Sequence, residues 1–231
     1  MRYDKTITAE FIRRPNRFIA ICRVNGGETV CHVKNTGRCR ELLTEGAEVI
    51  LVPCAADSKR KTKYDLVAVY KNGMLINMDS YAPNLAAGEW IAAGGLGKAE
   101  NIRPEYTYGD SRFDFFAVID GRTSFIEVKG VTLEENGVVM FPDAPTERGL
   151  KHINGLIRCA AEGHRACLLL VVQMSGSAEY PLKYFTPNRN TDPKLAEAMK
   201  KASESGVEII CRSCKVTPDS MDIDTPVKII L

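Results

Sequence analysis

The hydrophobic rhythm of this chain breaks at Tyr81-Ala-Pro-Asn84, and the break divides it into two units of different kinds. Before it, short apolar runs are separated by turn residues. Phe18–Val24 ends at Asn25-Gly26-Gly27 and is followed by Thr29–Val33, a hairpin signal. Ala47–Val52, Leu66–Tyr70 and Met74–Met78 continue the series, with Lys71-Asn72-Gly73 as a second hairpin turn and Arg40–Leu43 as a brief helical turn before Gly46. Five short strands with one turn of helix predict a small β-barrel, of the OB-like kind, over residues 1–82.

Beyond the break, over residues 83–231, helical and strand patterns alternate as they do in α/β folds. Asn84 is placed to cap a helix running through Leu85, Trp90 and Ile91 to Gly94-Gly95. Strands are expected at 112–119, 123–133 and 138–141, then a helix from Thr146 to Ala161 that ends at Gly163. A buried strand at 166–174, a helix from Asp192 to Ser205 and a strand at 207–211 precede the PVKIIL tail. That last helix has Asp192 as N-cap, Pro193 at its first position and Gly206 just past its end.

With 45% hydrophobic and 26% charged residues, the 231-residue chain has the make-up of a soluble globular protein. Its longest apolar run, Ala166–Val172, falls well short of the roughly 18–20 residues that span a bilayer. The N-terminal MRYDKTITAEFIRR lacks the apolar centre of a secretory signal, so a cytoplasmic location without a membrane partner is expected. In that setting the eight cysteines are read as reduced thiols. Cys211 and Cys214 form a single CxxC with no second CxxC or HxxxH to complete a zinc site, and the alternative is a pair of ordinary strand-end thiols.

The chemistry concentrates in two segments. In Ser111–Ile119, alternation puts Phe113, Phe115 and Ala117 on one face of a strand and Arg112 and Asp114 on the other. In Phe125–Lys129, Glu127 and Lys129 share a face because they are two apart, while Ile126 and Val128 point the opposite way. Asp120-Gly121-Arg122 turns the chain between them, so a hairpin would bring Asp114, Glu127 and Lys129 to one spot. A weak surface ion pair is the plain alternative. Against it, carboxylates and an amine inside such apolar strands are costly unless paired or bound to metal. Two carboxylates suit Mg²⁺ or Mn²⁺, which would activate water at a phosphodiester, with Lys129 orienting that water or neutralising charge on the phosphorane. Paired carboxylates also serve glycosidases, but the adjacent lysine and nearby basic residues fit phosphate better.

Net charge is only +2, so any nucleic-acid footprint must be local. Basic runs occur at Arg13-Arg14-Pro15-Asn16-Arg17, at Arg38 and Arg40, and from Lys59 and Arg60 to Lys63. On the Thr146–Ala161 helix, Leu150, Ile153, Ile157 and Ala160 lie on one face, and Arg148, Lys151, His152 and Gly155 on another. This second face is either a solvated stripe or a phosphate contact near the helix N-terminus. Asp143 either adds a carboxylate to the site or simply turns the chain after Pro142.

The runs SRFDF, FIEVKGVTL and MFPDAPTERGLKHINGL, together with HVKNTGRCRELL at 32–43, RRPNRF at 13–18 and PN at 83–84, resemble the sugar fermentation stimulation protein A (SfsA) family over nearly the whole chain. The resemblance implies an OB-like N-terminal domain and a C-terminal domain of the PD-(D/E)xK nuclease fold. By position, Asp114 stands for the nuclease-fold aspartate and Glu127 and Lys129 for the ExK pair, while Phe113 replaces the usual proline. Glu89 is the expected further metal-binding acid from the first helix, with Glu105 as its rival. The resemblance also implies DNA binding and a role in regulating sugar-utilisation (maltose) genes. Two functions are therefore expected to compete: a metal-dependent nuclease, and a non-catalytic DNA-binding regulator. Both would grip non-specific DNA through Arg13, Arg14, Asn16, Arg17, Arg38, Arg60, Arg148, Lys151 and His152, with Phe18 available for stacking. RNA and assembly as a homodimer stay open.

Overall fold

A computed structural model describes residues 1–35, 37–55 and 60–231. Lys59, counted in the third basic run, lies outside the described residues, as does Thr36. The barrel is built from β1 (Ile7–Asn16), β2 (Ile19–Val24), β3 (Gly27–Val33), β4 (Glu48–Pro53) and β5 (Tyr64–Lys71). They run in the order β3-β2-β1-β4-β5, and a parallel pairing of β3 with β5 closes the ring. β6 (Met74–Asn77) pairs with β5 alone. The five strands expected from the sequence are thus β2 to β6, and β1 replaces β6 in the ring. In β1, Ala9 and Phe11 point into the core, but the arginines that follow disguise the alternation.

A turn of chain leads from β6 into α1 (Ala82–Ala92), and the second unit follows. Its main sheet has the order β15-β14-β12-β9-β8-β7. The strands are β7 (Ala99–Tyr108), β8 (Ser111–Ile119), β9 (Arg122–Val131), β12 (Arg165–Val172), β14 (Glu208–Thr217) and β15 (Ser220–Pro226). β9, β12 and β14 are mutually parallel, while β7, β8 and β15 are antiparallel to their neighbours. A small sheet of β10 (Leu133–Glu135), β11 (Val138–Phe141) and β13 (Tyr184–Pro187) stands beside it. One face of the main sheet is covered by α2 (Glu147–Ala161) and α3 (Pro193–Glu204), whose N-caps Thr146 and Asp192 accept from Gly149 and Leu195. α1 covers the other face, where Phe115, Ala117, Ile126 and Val128 pack with Ala86, Ala87 and Ile91.

The two units share one interior. A single apolar cluster runs from Phe11, Val33 and Leu51 of the barrel to Phe125, Leu170 and Phe185 of the α/β unit. Polar groups seal the joint: Asn77 donates its N–H to the carbonyl of Gln173 at 2.9 Å, and Gln173 returns side-chain bonds to Asn77 and the Asp79 carbonyl. Buried Glu134 receives Lys71 at 2.9 Å across the same joint. Among the described residues no helix is long and apolar enough to cross a membrane. All eight cysteines are free thiols. Cys211 and Cys214 are buried, and burial pushes the Cys211 thiol up to about 12, a setting for inert core thiols.

Candidate functional site

β9 is the middle of the sheet, so both of its faces are buried and a charged residue there needs a partner. Glu127 is 1% exposed. Its Oε1 receives Lys129 Nζ at 2.5 Å and also meets Nδ1 of His152, which reaches down from α2. Oε2 is buried, and among the described residues it has no hydrogen-bond partner. Burial raises the Glu127 carboxyl, but the His152 hydrogen bond and the Lys129 charge together outweigh it, and the group is held below its usual range.

Asp114 lies where β8 parts from β9. The ladder between these strands runs from the turn only as far as Phe115 opposite Ile126. Beyond that point the Asp114 side chain takes over, its Oδ2 accepting from the Val128 N–H at 2.7 Å. Its Oδ1 accepts from the Asn84 side chain at 2.8 Å. Burial, and then the charge of Glu127, push the Asp114 carboxyl above its usual range. The strand is distorted here. Phe113 packs toward α2, within 3.1 Å of where a Cβ on Gly155 would stand, whereas Phe115 packs toward α1 at Gly88. The expected sharing of one face by Phe113 and Phe115 is therefore wrong. Glu105, across from Asp114 on β7, has φ +53°, and the regular register passes over both residues.

The hairpin leaves Asp114 within reach of the charges of Glu127 and Lys129, although the strand is distorted at Asp114, and the structure adds two residues whose roles the sequence reading missed. Asn84 was expected to cap α1; it lies inside the first turn, after Tyr81 at the N-cap, and its amide is spent on Asp114. His152 was expected to contact nucleic acid; it is buried and bound to Glu127. The buried arc of α2 takes in Gly149, His152 and Gly155, because glycine lets the helix approach the sheet. Arg148 and Lys151 stay exposed on its outer side.

Glu89 does not join the site. Gly88 faces Phe115, so the next side chain turns away, and Glu89, 63% exposed, pairs with the Met1 ammonium at 2.6 Å. Glu105 pairs with Arg112 at the surface. Asp143 joins the cleft, its Oδ2 accepting from the Arg38 N–H at 3.3 Å and tying the barrel loop to the segment before α2. Among the described residues no group of three His, Cys, Asp or Glu side chains is arranged to hold a metal. The donors present are the two carboxylates, and a hard cation of the Mg²⁺ type needs only one or two, with water and phosphate oxygens completing its shell.

A cavity of about 340 Å³ opens between the two units, and Gly130, the residue after Lys129, is part of its lining. Asn35, Gly37 and Ser80 form its barrel side, and Gly130, Thr132, Asp143 and Gln173 form the other. It lies at the carboxyl ends of β9 and β12, where α/β sheets commonly bind ligands. A Cβ on Gly130 would come within 2.3 Å of Gln173 Oε1, so the cleft floor requires glycine. A second cavity of about 380 Å³ adjoins it at Gly37 and is lined by Arg14, Asn16, Arg17, Arg38 and Arg40. Not all of these side chains are free for a ligand. The Arg14 guanidinium donates to the carbonyls of Arg17, Asn35, Gly37 and Arg38, so it shapes the loop. The Asn16 side-chain oxygen accepts from Phe18 and Ile19 and makes the turn into β2. Arg13 pairs with Glu28 at the surface, and Arg60 pairs with Asp65. Arg17 lies against the exposed Phe18 ring, and Arg38 is exposed.

A closed five-stranded OB barrel joined to an α/β domain, with Lys129 and His152 gathered on buried Glu127, defines the class of the protein. Residues 12–78 match the family model "SfsA N-terminal OB domain", and residues 81–220 match "Sugar fermentation stimulation protein RE domain". The chain belongs to the sugar fermentation stimulation protein family. It is 47% identical to the sugar fermentation stimulation protein homolog of Clostridium beijerinckii over 232 residues, covering all of both chains. Against the homolog of Desulfitobacterium hafniense (strain Y51) it is 46% identical over 222 residues, 96% of this chain and 95% of the relative. The structure of Pyrococcus furiosus SfsA in complex with Ca²⁺ superposes with a TM-score of 0.86 at 27% identity, covering 100% of this chain and 98% of that one.

Proposed function

We propose that this protein binds DNA along the cleft between barrel and α/β domain and cleaves its backbone at Asp114, Glu127 and Lys129, a site of the PD-(D/E)xK nuclease kind. The observation that carries the reading is Glu127 Oε2, an acceptor buried within the protein and without a partner among the described residues. A carboxylate oxygen in that state is costly, and a cation would satisfy it. The Pyrococcus furiosus relative was solved with Ca²⁺, a hard cation that also seeks oxygen. In this chain Asp114 and Glu127 would hold Mg²⁺ or Mn²⁺, whose chemistry is to activate a bound water and stabilise charge on the phosphate.

The protein's own groups do the rest. Asn84 and the Val128 N–H fix both oxygens of Asp114, so the carboxylate is oriented before substrate arrives. Lys129 is partly exposed beside Glu127 and can turn its charge toward a phosphorane. His152 is a positioning residue that holds Glu127 from behind. Arg38 and Arg17, with Arg148 and Lys151 on α2, supply sequence-independent contacts to phosphates.

A second reading, a non-catalytic DNA-binding regulator, draws support from one feature. Glu127 Oε1 is already paired with the Lys129 ammonium and hydrogen-bonded to His152, so the carboxylate can persist without metal. One assay separates the two. Purified protein is incubated with single- and double-stranded DNA and RNA in Mg²⁺, Mn²⁺ or EDTA, beside Asp114→Ala and Lys129→Ala. Cleavage that requires metal and vanishes in both variants supports the nuclease, and cleavage confined to RNA would move the substrate class. Salt-sensitive binding that survives both substitutions without cleavage supports the regulator.

A further inference from the structure

A third recess, of about 190 Å³, lies on the barrel side of the cleft and is lined by Phe18, His32, Val33, Lys34, Asn35, Ser80 and Tyr81. Asn35 and Ser80 also line the central cavity, so the two spaces are neighbours. The recess is bordered by two of the largest exposed apolar side chains described, Phe18 at 44% and Tyr81 at 71%. Neither ring is idle packing. Arg17 sits over the Phe18 ring at 4.8 Å, and Lys34 over the Tyr81 ring at 5.8 Å. Lys34 is itself fixed by Asp79 at 2.7 Å, so it is held at the rim. Exposed aromatic faces flanked by cations, beside a phosphate-binding cleft, are how proteins hold unpaired bases: the ring stacks and the cation meets the neighbouring phosphate. A recess of about 190 Å³ has room for one nucleobase.

We infer that this recess takes one unpaired base of DNA, so that the preferred substrate is single-stranded or carries a single-stranded tail leading into the cleft. This rests on the proposed nucleic-acid function and names the strand type that function acts on. The occupant is set by complementarity: aromatic walls for the base, and Arg17 and Lys34 at the rim for its phosphates. His32 Nδ1 is engaged with Asp65 at 2.9 Å.

The test measures affinity by fluorescence anisotropy for a labelled single strand and for a blunt duplex, in EDTA to prevent cleavage. Wild type is compared with Phe18→Ala, Tyr81→Ala and the double variant. Both rings are exposed and Tyr81 makes no side-chain cap to α1, so folding should survive, and circular dichroism checks it. Each single variant should weaken single-strand binding roughly five- to a hundredfold while leaving duplex binding unchanged. Single-strand affinity that is unchanged in the double variant, or a loss shared equally with the duplex, overturns the inference. So does a wild type that prefers the duplex, although DNA binding itself would then stand. A wild type that binds neither strand type at low salt overturns the proposed function, and the inference with it.

Discussion

Asp114 and Glu127 pose one physical problem, a carboxylate withdrawn from water, and they meet it differently. Asp114 is held by neutral donors, Asn84 and the Val128 N–H, whereas Glu127 is held by the Lys129 ammonium and the His152 ring. Replacing Asn84 with Ala removes one donor without touching the core. Cleavage is expected to fall about 10- to 100-fold, as it does when outer ligand supports are cut, with the melting temperature little changed. Steady-state rates beside thermal melts check this. Asp65 offers a pH-dependent case away from the site. Burial raises its carboxyl, but the hydrogen bonds from Arg60 and His32 outweigh that and hold it below the usual range. A carboxyl depressed in the folded state stabilises above its unfolded pKa of about 3.9, and that stability is lost as the pH falls through the folded value. Asp65→Asn should therefore cost about 1 kcal/mol at pH 7, screened because Arg60 is half exposed, and much less near pH 3. Urea melts at the two pH values read the difference.

At the scale of elements, the β8–β9 hairpin was legible and its flaw was not. Alternation in β9 and the Asp120-Gly121 turn showed which strands and side chains could meet. The parting of β8 from β9 at Asp114 has no local signature, because Val128 trades a backbone partner for a side chain more than ten residues away. The position of α2 was hidden for a related reason. Gly155 adds nothing to a hydrophobic pattern, yet its missing side chain lets the helix close on Ser111 and Phe113 and delivers His152 to Glu127. In Gly155→Val a Cβ would stand 2.6 Å from Ser111 Oγ. The overpacking should destabilise the protein by about 1–3 kcal/mol and lower cleavage by withdrawing His152. Denaturant titration and the cleavage rate should move together. Glu89 failed as a site acid because proximity in sequence to Asn84 does not survive helical rotation: five residues on, it faces another way, toward Met1.

Across the whole molecule, the barrel and the α/β domain act as one body because the cleft between them is floored by shared structure. Gln173 bonds to Asn77 and Asp79, Lys71 to Glu134, and one apolar cluster crosses the joint. The sequence marked the two units by their different rhythms but not their seam. A glutamine ending an apolar strand is the one local hint that something polar docks there. Calorimetry should therefore show a single unfolding transition, and Gln173→Leu should lower its midpoint, since Asn77 and the Asp79 carbonyl lose a buried partner worth about 1–3 kcal/mol. Two separate transitions in the wild type would contradict a shared interior.

The central claim is that the buried Asp114–Glu127–Lys129 site breaks phosphodiester bonds. The most direct measurement is the single-turnover cleavage rate of a labelled DNA strand at saturating Mn²⁺, for wild type and for Lys129→Ala, with DNA affinity measured in parallel. A site in which Lys129 stabilises the phosphorane predicts cleavage by the wild type and a loss of at least about 100-fold in the variant, with affinity retained. A wild type that binds DNA without cutting it, or a variant that cuts as fast as the wild type, would contradict the account.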